Sequence, residues 1–232
     1  MGCQCDRSDL SDKVMNAFWE NLKIRNKKIQ EIVDMIRTKK QSARDKIKPN
    51  KLLMLIEDLI QGENFIEQTQ QMFSNALEYS RSEYKNEGLF FLSLLLLGTG
   101  TADDFVKSFL SVAMTQGGLK YYIEMSPEEN KNNIEKKELE NFINYYINLV
   151  TLFGVKDLAT LTDNKDLFEE NMNKAYSKEA QSSYIKENVM KGYENEAKVD
   201  IETFFKANYE KLKGDSIIRA KLYNDFINQA TR

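Results

Sequence analysis

Two prolines, Pro49 and Pro127, are all that punctuate a chain of 232 residues. Proline fixes φ and cannot donate to a backbone ladder, and glycine supplies the φ values that tight turns need. A chain with two prolines and ten glycines therefore lacks the turn chemistry of a many-stranded sheet protein. Long stretches are instead rich in Lys, Glu, Leu, Ala and Met, which lose little side-chain freedom in a helix. Helix is the default state. Hydrophobic residues make up 41% and aromatics 11%, enough apolar surface to offset the entropy of ordering the backbone, so the chain is expected to fold. Its length suits one large domain or two small helical lobes.

Helix starts are legible where a capping residue is followed three positions later by an acid or amide, the pairing that satisfies free N–H groups. Asn64 with Glu67 is one such place, Thr101 with Asp104 after the Gly98-Thr99-Gly100 break is another, and Ser126-Pro127 with Glu129 is a third. Pro49 opens a further helix, since its missing N–H is harmless in the first turn. Breaks are expected near 40–48, 61–63, 98–101, 116–118, 154–164 and 192–198. Between them apolar residues repeat at helical spacing, as in Leu52, Leu55, Ile56 and Leu59, or Leu139, Phe142, Ile143, Tyr146 and Ile147. The longest apolar run, Leu89 to Leu97, is shorter than the ~20 residues of a membrane-spanning helix and reads as a buried one. No secretory signal is read at the N-terminus.

The chain has no histidine, which excludes the commonest general base, the usual zinc ligand and every Ser-His or Cys-His nucleophile pair. Its two cysteines, Cys3 and Cys5, lie in the first five residues and build neither a disulfide framework nor a four-thiolate metal site. Carboxylate-only glycosidase chemistry needs no histidine. The acids, however, alternate with lysines on helical faces, as in Glu135, Lys136, Lys137, Glu138 and Glu140, where solvated ion pairs are the ordinary reading. No catalytic residue is assigned, and the chain is expected not to be an enzyme.

The confinement of both cysteines matters more. Met1-Gly2-Cys3-Gln4-Cys5 matches the start of the myristoylation pattern, in which loss of Met exposes Gly2 for acylation and a neighbouring cysteine takes a palmitoyl chain. One myristoyl chain binds a membrane only marginally, and a second chain or a basic patch makes the anchor durable. Both are at hand: residues 21–51 carry eleven Lys or Arg against three acids, although the whole chain has a formal charge of −3. The pattern departs from the usual one at its sixth position, where Asp6 stands in place of Ser or Thr. Gly2, Cys3 and Cys5 are thus the expected lipidation residues, on a lipoprotein carrying myristate and palmitate. The net acidity outside 21–51 and the lack of a recognised motif argue against nucleic acid as a partner.

Helix, short polar loop, helix is the recurring unit, and it carries a resemblance. An EF-hand pairs two helices around a 12-residue loop with oxygen ligands at positions 1, 3, 5 and 12, Gly at 6 and an apolar residue at 8. With Ile47 at position 8, Leu52, Leu55, Ile56 and Leu59 line the exiting helix and Ile32, Met35 and Ile36 the entering one. A second unit centres on Tyr84, with Leu89, Leu92 and Leu96 after it and Met72, Phe73 and Ala76 before it. A third centres on Ile134, followed by Glu138, Leu139, Phe142 and Ile143. Its entering helix is either residues 102–115 or the shorter Leu119–Met125, with an insertion in both cases. A fourth centres on Val199 in Lys198-Val199-Asp200-Ile201-Glu202-Thr203-Phe204-Phe205. The stretch Gly98-Thr99-Gly100-Thr101-Ala102-Asp103-Asp104-Phe105 also resembles the link between lobes in the neuronal calcium sensor and calcineurin B-like branch.

The chain thus resembles the EF-hand superfamily over roughly residues 28–212, with degenerate loops. The resemblance implies an all-α fold of two lobes of paired helix-loop-helix units, the alternative being an unrelated helical bundle. The divisions it implies are 1–20 for the acylated segment and first helix, 21–98 for the N-terminal lobe and 99–232 for the C-terminal lobe with its insertion. Calcium is not expected. The first loop would present Lys40, Ser42, Arg44 and Lys51 as ligands, and the second Leu77, Tyr79, Arg81 and Gly88. The third has Glu129 and Glu138 but also Pro127, Lys131 and Asn132. The fourth clusters Glu194, Glu196 and Asp200 between Gly192 and Thr203, so Glu129, Glu138, Glu194, Glu196 and Asp200 are weak metal candidates at most. No cofactor or small-molecule substrate is implied.

What remains is shape. A metal-free pair of helices can still hold an amphipathic partner helix through apolar anchors, and the nine methionines suit such a groove. The expected groove residues are Met35, Ile36, Leu52, Leu55, Ile56, Met72, Phe73 and Leu92. The resulting expectation is a non-enzymatic, lipid-anchored adaptor or scaffold on the cytoplasmic face of a membrane, binding protein partners independently of calcium. The alternative is a structural subunit of a cytoskeletal or axonemal assembly, in a cilium for example, whose helical faces are covered by neighbours.

Overall fold

The computed structural model describes residues 23–39, 49–59, 83–116, 123–126, 131–158 and 178–213. Seven α-helices and one small sheet occur among them, and 77% of these residues are helical. The helical expectation therefore holds in its coarse form. It is corrected by three short strands, β1 (Ile123–Ser126), β2 (Lys131–Glu135) and β3 (Lys198–Asp200), which pair antiparallel in the order β1-β2-β3.

A 3₁₀ turn, Lys23–Asn26, leads into α1 (Ile29–Lys39). Ile29, Ile32, Val33 and Ile36 form its buried stripe, with Glu31 in the first turn and Arg37 and Lys39 in the last, each charge suited to the helix dipole. α2 (Pro49–Leu59) starts at the proline, as its missing N–H allows, and buries Leu55, Ile56 and Leu59. α3 (Glu83–Leu97) is the core helix. From Leu89 to Leu97 every side chain is at most 5% exposed, so the helix has no wet face there. Its one polar residue in that stretch, Ser93, donates to Leu89 O at 2.8 Å and leaves no buried donor unmet.

α4 (Ala102–Gln116) begins at the capping pair read from the sequence. Asp104 N–H donates to Thr101 Oγ1 at 3.1 Å, while Thr101 N–H and Oγ1–H donate to the Asp104 carboxylate at 3.1 and 2.8 Å. α5 (Lys136–Leu158) follows β2 without a gap, and α7 (Ile201–Leu212) follows β3 in the same way. Between them lie α6 (Lys178–Tyr184) and a π turn, Ile185–Val189.

The buried residues from Ile24 to Leu212 form a single apolar cluster. Its C-terminal part is aromatic: Phe105 and Phe109 of α4, Phe142 of α5, and Phe205 and Tyr209 of α7 stack with ring centres 4.8–5.6 Å apart. Such tilted contacts add to the area these rings bury and lock three helices to one another. The turn between α3 and α4, where the two lobes were expected to divide, is crossed by packing: α4 lies against α3, and Tyr209 Oη donates to Gly100 O at 3.3 Å.

Two placements depart from expectation. Tyr84, expected at a loop centre, lies in the first turn of α3. Of the two entering helices open to the third unit, the shorter, Leu119–Met125, is overturned over residues 123–125, which belong to a strand because Ile123 can pair across to Ile134 and pack against the core. The other expected loop centre, Ile47, lies outside the described residues.

Candidate functional site

Two junctions bring the start of one helix against the start of another, and they locate most of the residues singled out above. The first joins α5 and α7. Ile134 pairs with Val199, flanked by Asn133 with Asp200 and Glu135 with Lys198. Ile134 is fully buried and Val199 is 2% exposed, so the two expected centres of the third and fourth units meet each other inside the core. Each strand ends where its helix begins, and Lys136 N–H closes the ladder by donating to Ala197 O at 3.0 Å. At the start of α7, Asp200 Oδ1 accepts from Thr203 N–H at 2.8 Å and caps the helix.

Two candidate metal ligands of this junction, Glu194 and Asp200, are already spent on the chain's own donors. Gly192 has φ +92°, a conformation that L side chains rarely adopt, and its N–H donates to the Glu194 carboxylate at 2.9 Å. That bond, with a second from Glu194's own main chain, holds the Glu194 carboxyl below its ordinary range. The Lys136 ammonium donates to Glu194 O at 2.8 Å, which places a positive charge beside the turn. Asp200 is committed to its cap, Glu196 is exposed, and Glu138 is 9% exposed within α5. Glu129 lies outside the described residues. Among those described, no three of His, Cys, Asp and Glu gather closely enough to hold a metal ion.

The second junction joins α1 and α4. Lys28 and Thr99 form a single parallel bridge: Ile29 N–H donates to Thr99 O at 3.0 Å, and Thr99 N–H donates to Lys27 O at 2.9 Å. Thr99 Oγ1 donates to the same Lys27 oxygen at 3.1 Å. The backbones can approach only because Gly98 has no side chain. A Cβ there would stand 2.5 Å from Ile32 Cδ1 and 3.3 Å from Lys27 O. The sequence marks this stretch as a break between helices; its docking on the start of α1 is visible only in the fold.

Among the described residues the expected groove does not stand open. Ile36, Leu55, Ile56 and Leu92 are fully buried and Met35 is half-buried against the same cluster, so these side chains fill the core instead of lining a cleft. The correction has a plain cause: an apolar stripe is read identically whether a helix faces a partner or its own domain. Leu52 belongs to α2, with its side chain outside the description, and Met72 and Phe73 lie outside the described residues, as do Gly2, Cys3 and Cys5. Among the described residues, the large apolar side chains left exposed are Met54 on α2, at 51%, and Met114 on α4, at 39%.

The basic region is partly tied down. Lys23 donates to Glu57 O at 3.1 Å, Arg37 to Ser111 Oγ at 2.7 Å, and Lys39 pairs with Asp58 at 3.4 Å. These contacts fix α1 against α2 and α4. Among the described residues no helix is long and apolar enough to cross a membrane. Comparison of the chain with models of protein families, with curated proteins and with solved structures finds no match.

Proposed function

We propose that the protein is a non-enzymatic adaptor held at a membrane by acyl chains on Gly2 and on Cys3 or Cys5, with an EF-hand-like body that engages a protein partner without calcium. The observation that carries this reading is the antiparallel pairing of Ile134 with Val199, each followed at once by a helix. Paired EF-hands join through the apolar eighth residues of their loops, and apolar spacing alone gives these two positions that role. The loop carboxylates lend support in the other direction. Glu194 and Asp200 accept from the chain's own N–H groups, and the Lys136 ammonium lies where a dication would be repelled. In this reading the loops keep their turn geometry through internal hydrogen bonds, and metal has no part in it.

The partner is a protein with an apolar helix face. With Ile36, Leu55, Ile56 and Leu92 in the core, the exposed apolar side chains left to meet it include Met54 and Met114. The setting is the cytoplasmic face of a membrane, where N-terminal acylation takes place and the basic region meets anionic lipid.

Expression of wild type and Gly2→Ala in a eukaryotic cell, followed by fractionation and mass spectrometry of the N-terminal peptide, tests the anchor. Wild type is expected in the membrane fraction with a lipid-shifted peptide, and the variant in the soluble fraction. An unmodified Gly2, or a variant that stays with the membrane, sinks the anchor. Calcium titration tests the body: the thermal midpoint is expected to be the same in calcium as in chelator, and a rise with stoichiometric uptake sinks the metal-free reading.

A further inference from the structure

The α1–α4 junction leaves an open cleft of about 530 Å³, lined by Lys28, Ile29, Gln30 and Thr99 on one side and Asp104, Lys107 and Ser108 on the other. Several of its donors are unused. The first hydrogen bond of α1 is Ile32 N–H to Lys28 O, and Ile29 N–H is taken by Thr99 O. The N–H groups of Gln30 and Glu31 are thus left without an acceptor among the described residues, at the positive end of an eleven-residue helix. Ser108 is the second, independent sign. It is 8% exposed and lines the cleft, yet its hydroxyl takes no hydrogen bond among the described residues, whereas the comparable Ser93 bonds back to the preceding turn. Lys28 and Lys107 are exposed at the rim, and neither forms an ion pair among the described residues.

These donors converge from two helices, which suits a ligand with several acceptor oxygens pointing different ways. A phosphate monoester has three such oxygens and up to two charges; a carboxylate has two oxygens in one plane. Asp104 adds a constraint. One of its oxygens is held by Thr101, and those hydrogen bonds keep the carboxyl below its ordinary range, so a fixed negative acceptor stands beside the donors. An acceptor next to an anion site repels a bare anion and favours one bearing a hydroxyl group. We infer that this cleft binds the phosphate of a phosphorylated polyol, with Gln30, Ser108, Lys28 and Lys107 as donors and Asp104 accepting from a ligand hydroxyl. The inference does not depend on the acyl anchor or on the EF-hand-like reading. The same chemistry is offered by a soluble sugar or inositol phosphate and by an inositol phospholipid headgroup.

The test uses the full chain made without acylation, titrated with inositol monophosphate, inorganic phosphate and inositol, and cosedimented with phosphatidylcholine vesicles with and without phosphatidylinositol phosphate. Inositol monophosphate is expected to bind, more tightly than inorganic phosphate, and to shift the amide resonances of Gln30 and Ser108. Lys28→Gln with Lys107→Gln is expected to weaken it at least about tenfold, the loss of a charge-assisted hydrogen bond, whereas Lys23→Gln with Arg25→Gln leaves it unchanged. Binding to vesicles alone that is lost in Lys28→Gln with Lys107→Gln assigns the headgroup, binding in solution assigns the free phosphate, and vesicle binding that this double variant retains overturns the site. Equal loss in both double variants, shifts elsewhere than these amides, or no binding to any probe overturns the site. Equal affinity for inorganic and inositol phosphate overturns the part given to Asp104. The amide shifts are read on wild type, so a variant that fails to fold does not remove the test.

Discussion

The two helix-start junctions solve one problem by different means. Between α5 and α7 the contact is a three-pair antiparallel ladder with two buried β-branched residues at its centre. Between α1 and α4 it is one parallel bridge of polar residues, and the close approach depends on a missing side chain at Gly98. The first is held by what its side chains bury; the second by what its backbone can reach. Substitution tolerance at the two places should therefore be inverted. Changing side chains should hurt the first and spare the second, while adding a methyl group to a glycine should hurt the second.

Ile134→Ala is expected to have the largest effect, a loss of about 2–5 kcal/mol by urea denaturation, since it removes most of a fully buried side chain from the core. Gly98→Ala comes next, at about 1–3 kcal/mol, because Ile32 is fully buried and can yield to the new Cβ only by disturbing its neighbours. A neutral Gly98→Ala would mean that the approach is looser than it stands. Gly192→Ala is expected to cost roughly 1 kcal/mol through backbone conformation alone, since a Cβ there meets nothing within 4 Å. Thr99→Val tests the other half of the comparison. It removes one hydroxyl bond to an oxygen that Thr99 N–H also serves, and should cost about 1 kcal/mol or less. If Thr99→Val costs as much as Ile134→Ala, the contrast is lost.

The same inversion accounts for what the sequence makes legible. Helices announce themselves through apolar spacing and caps, and α1, α2, α4, α5 and α7 fall where the stripes and the Pro49 and Thr101–Asp104 signals place them. Ile134 and Val199 stand out because each is an apolar residue just before an amphipathic helix, while the strand pairing that joins them is visible only in the fold. Tyr84 does not, because the apolar residues that point to it, Leu89, Leu92 and Leu96, have the spacing of any buried helix, and that helix starts at Glu83 and takes Tyr84 into its first turn. The strand Ile123–Ser126 escapes notice since four residues carry too little periodicity to separate strand from helix. The groove residues mislead for a different reason. Composition says that Ile36, Leu55, Ile56 and Leu92 avoid water, and only the fold says against what. The cleft at Lys28 and Lys107 has no sequence signal beyond the Gly98-Thr99-Gly100 break, because its defining donors are backbone N–H groups that every sequence possesses.

The smallest effect comes from acid, and it separates the junctions by charge. The hydrogen bonds from Thr101 hold the Asp104 carboxyl below its ordinary value, an effect that the Lys107 charge reinforces. A group whose folded value is depressed binds its proton less readily folded than unfolded, so protonation pulls the chain toward the unfolded state. Its contribution is therefore complete above the ordinary aspartate value of about 4 and is lost as the pH falls through the lower folded value. Asp104 is exposed, so solvent screens most of this, and the shift should appear as a difference between proteins more than as a transition of its own. Urea midpoints of wild type and Asp104→Asn, followed from neutral pH down to about pH 2.5, are expected to lie furthest apart at neutral pH and to converge at the acid end. Midpoints that stay parallel would mean that the box depends on the shape of the Asp104 side chain and not on its charge, and the carboxylate assigned to the cleft would lose the reason it stays ionised.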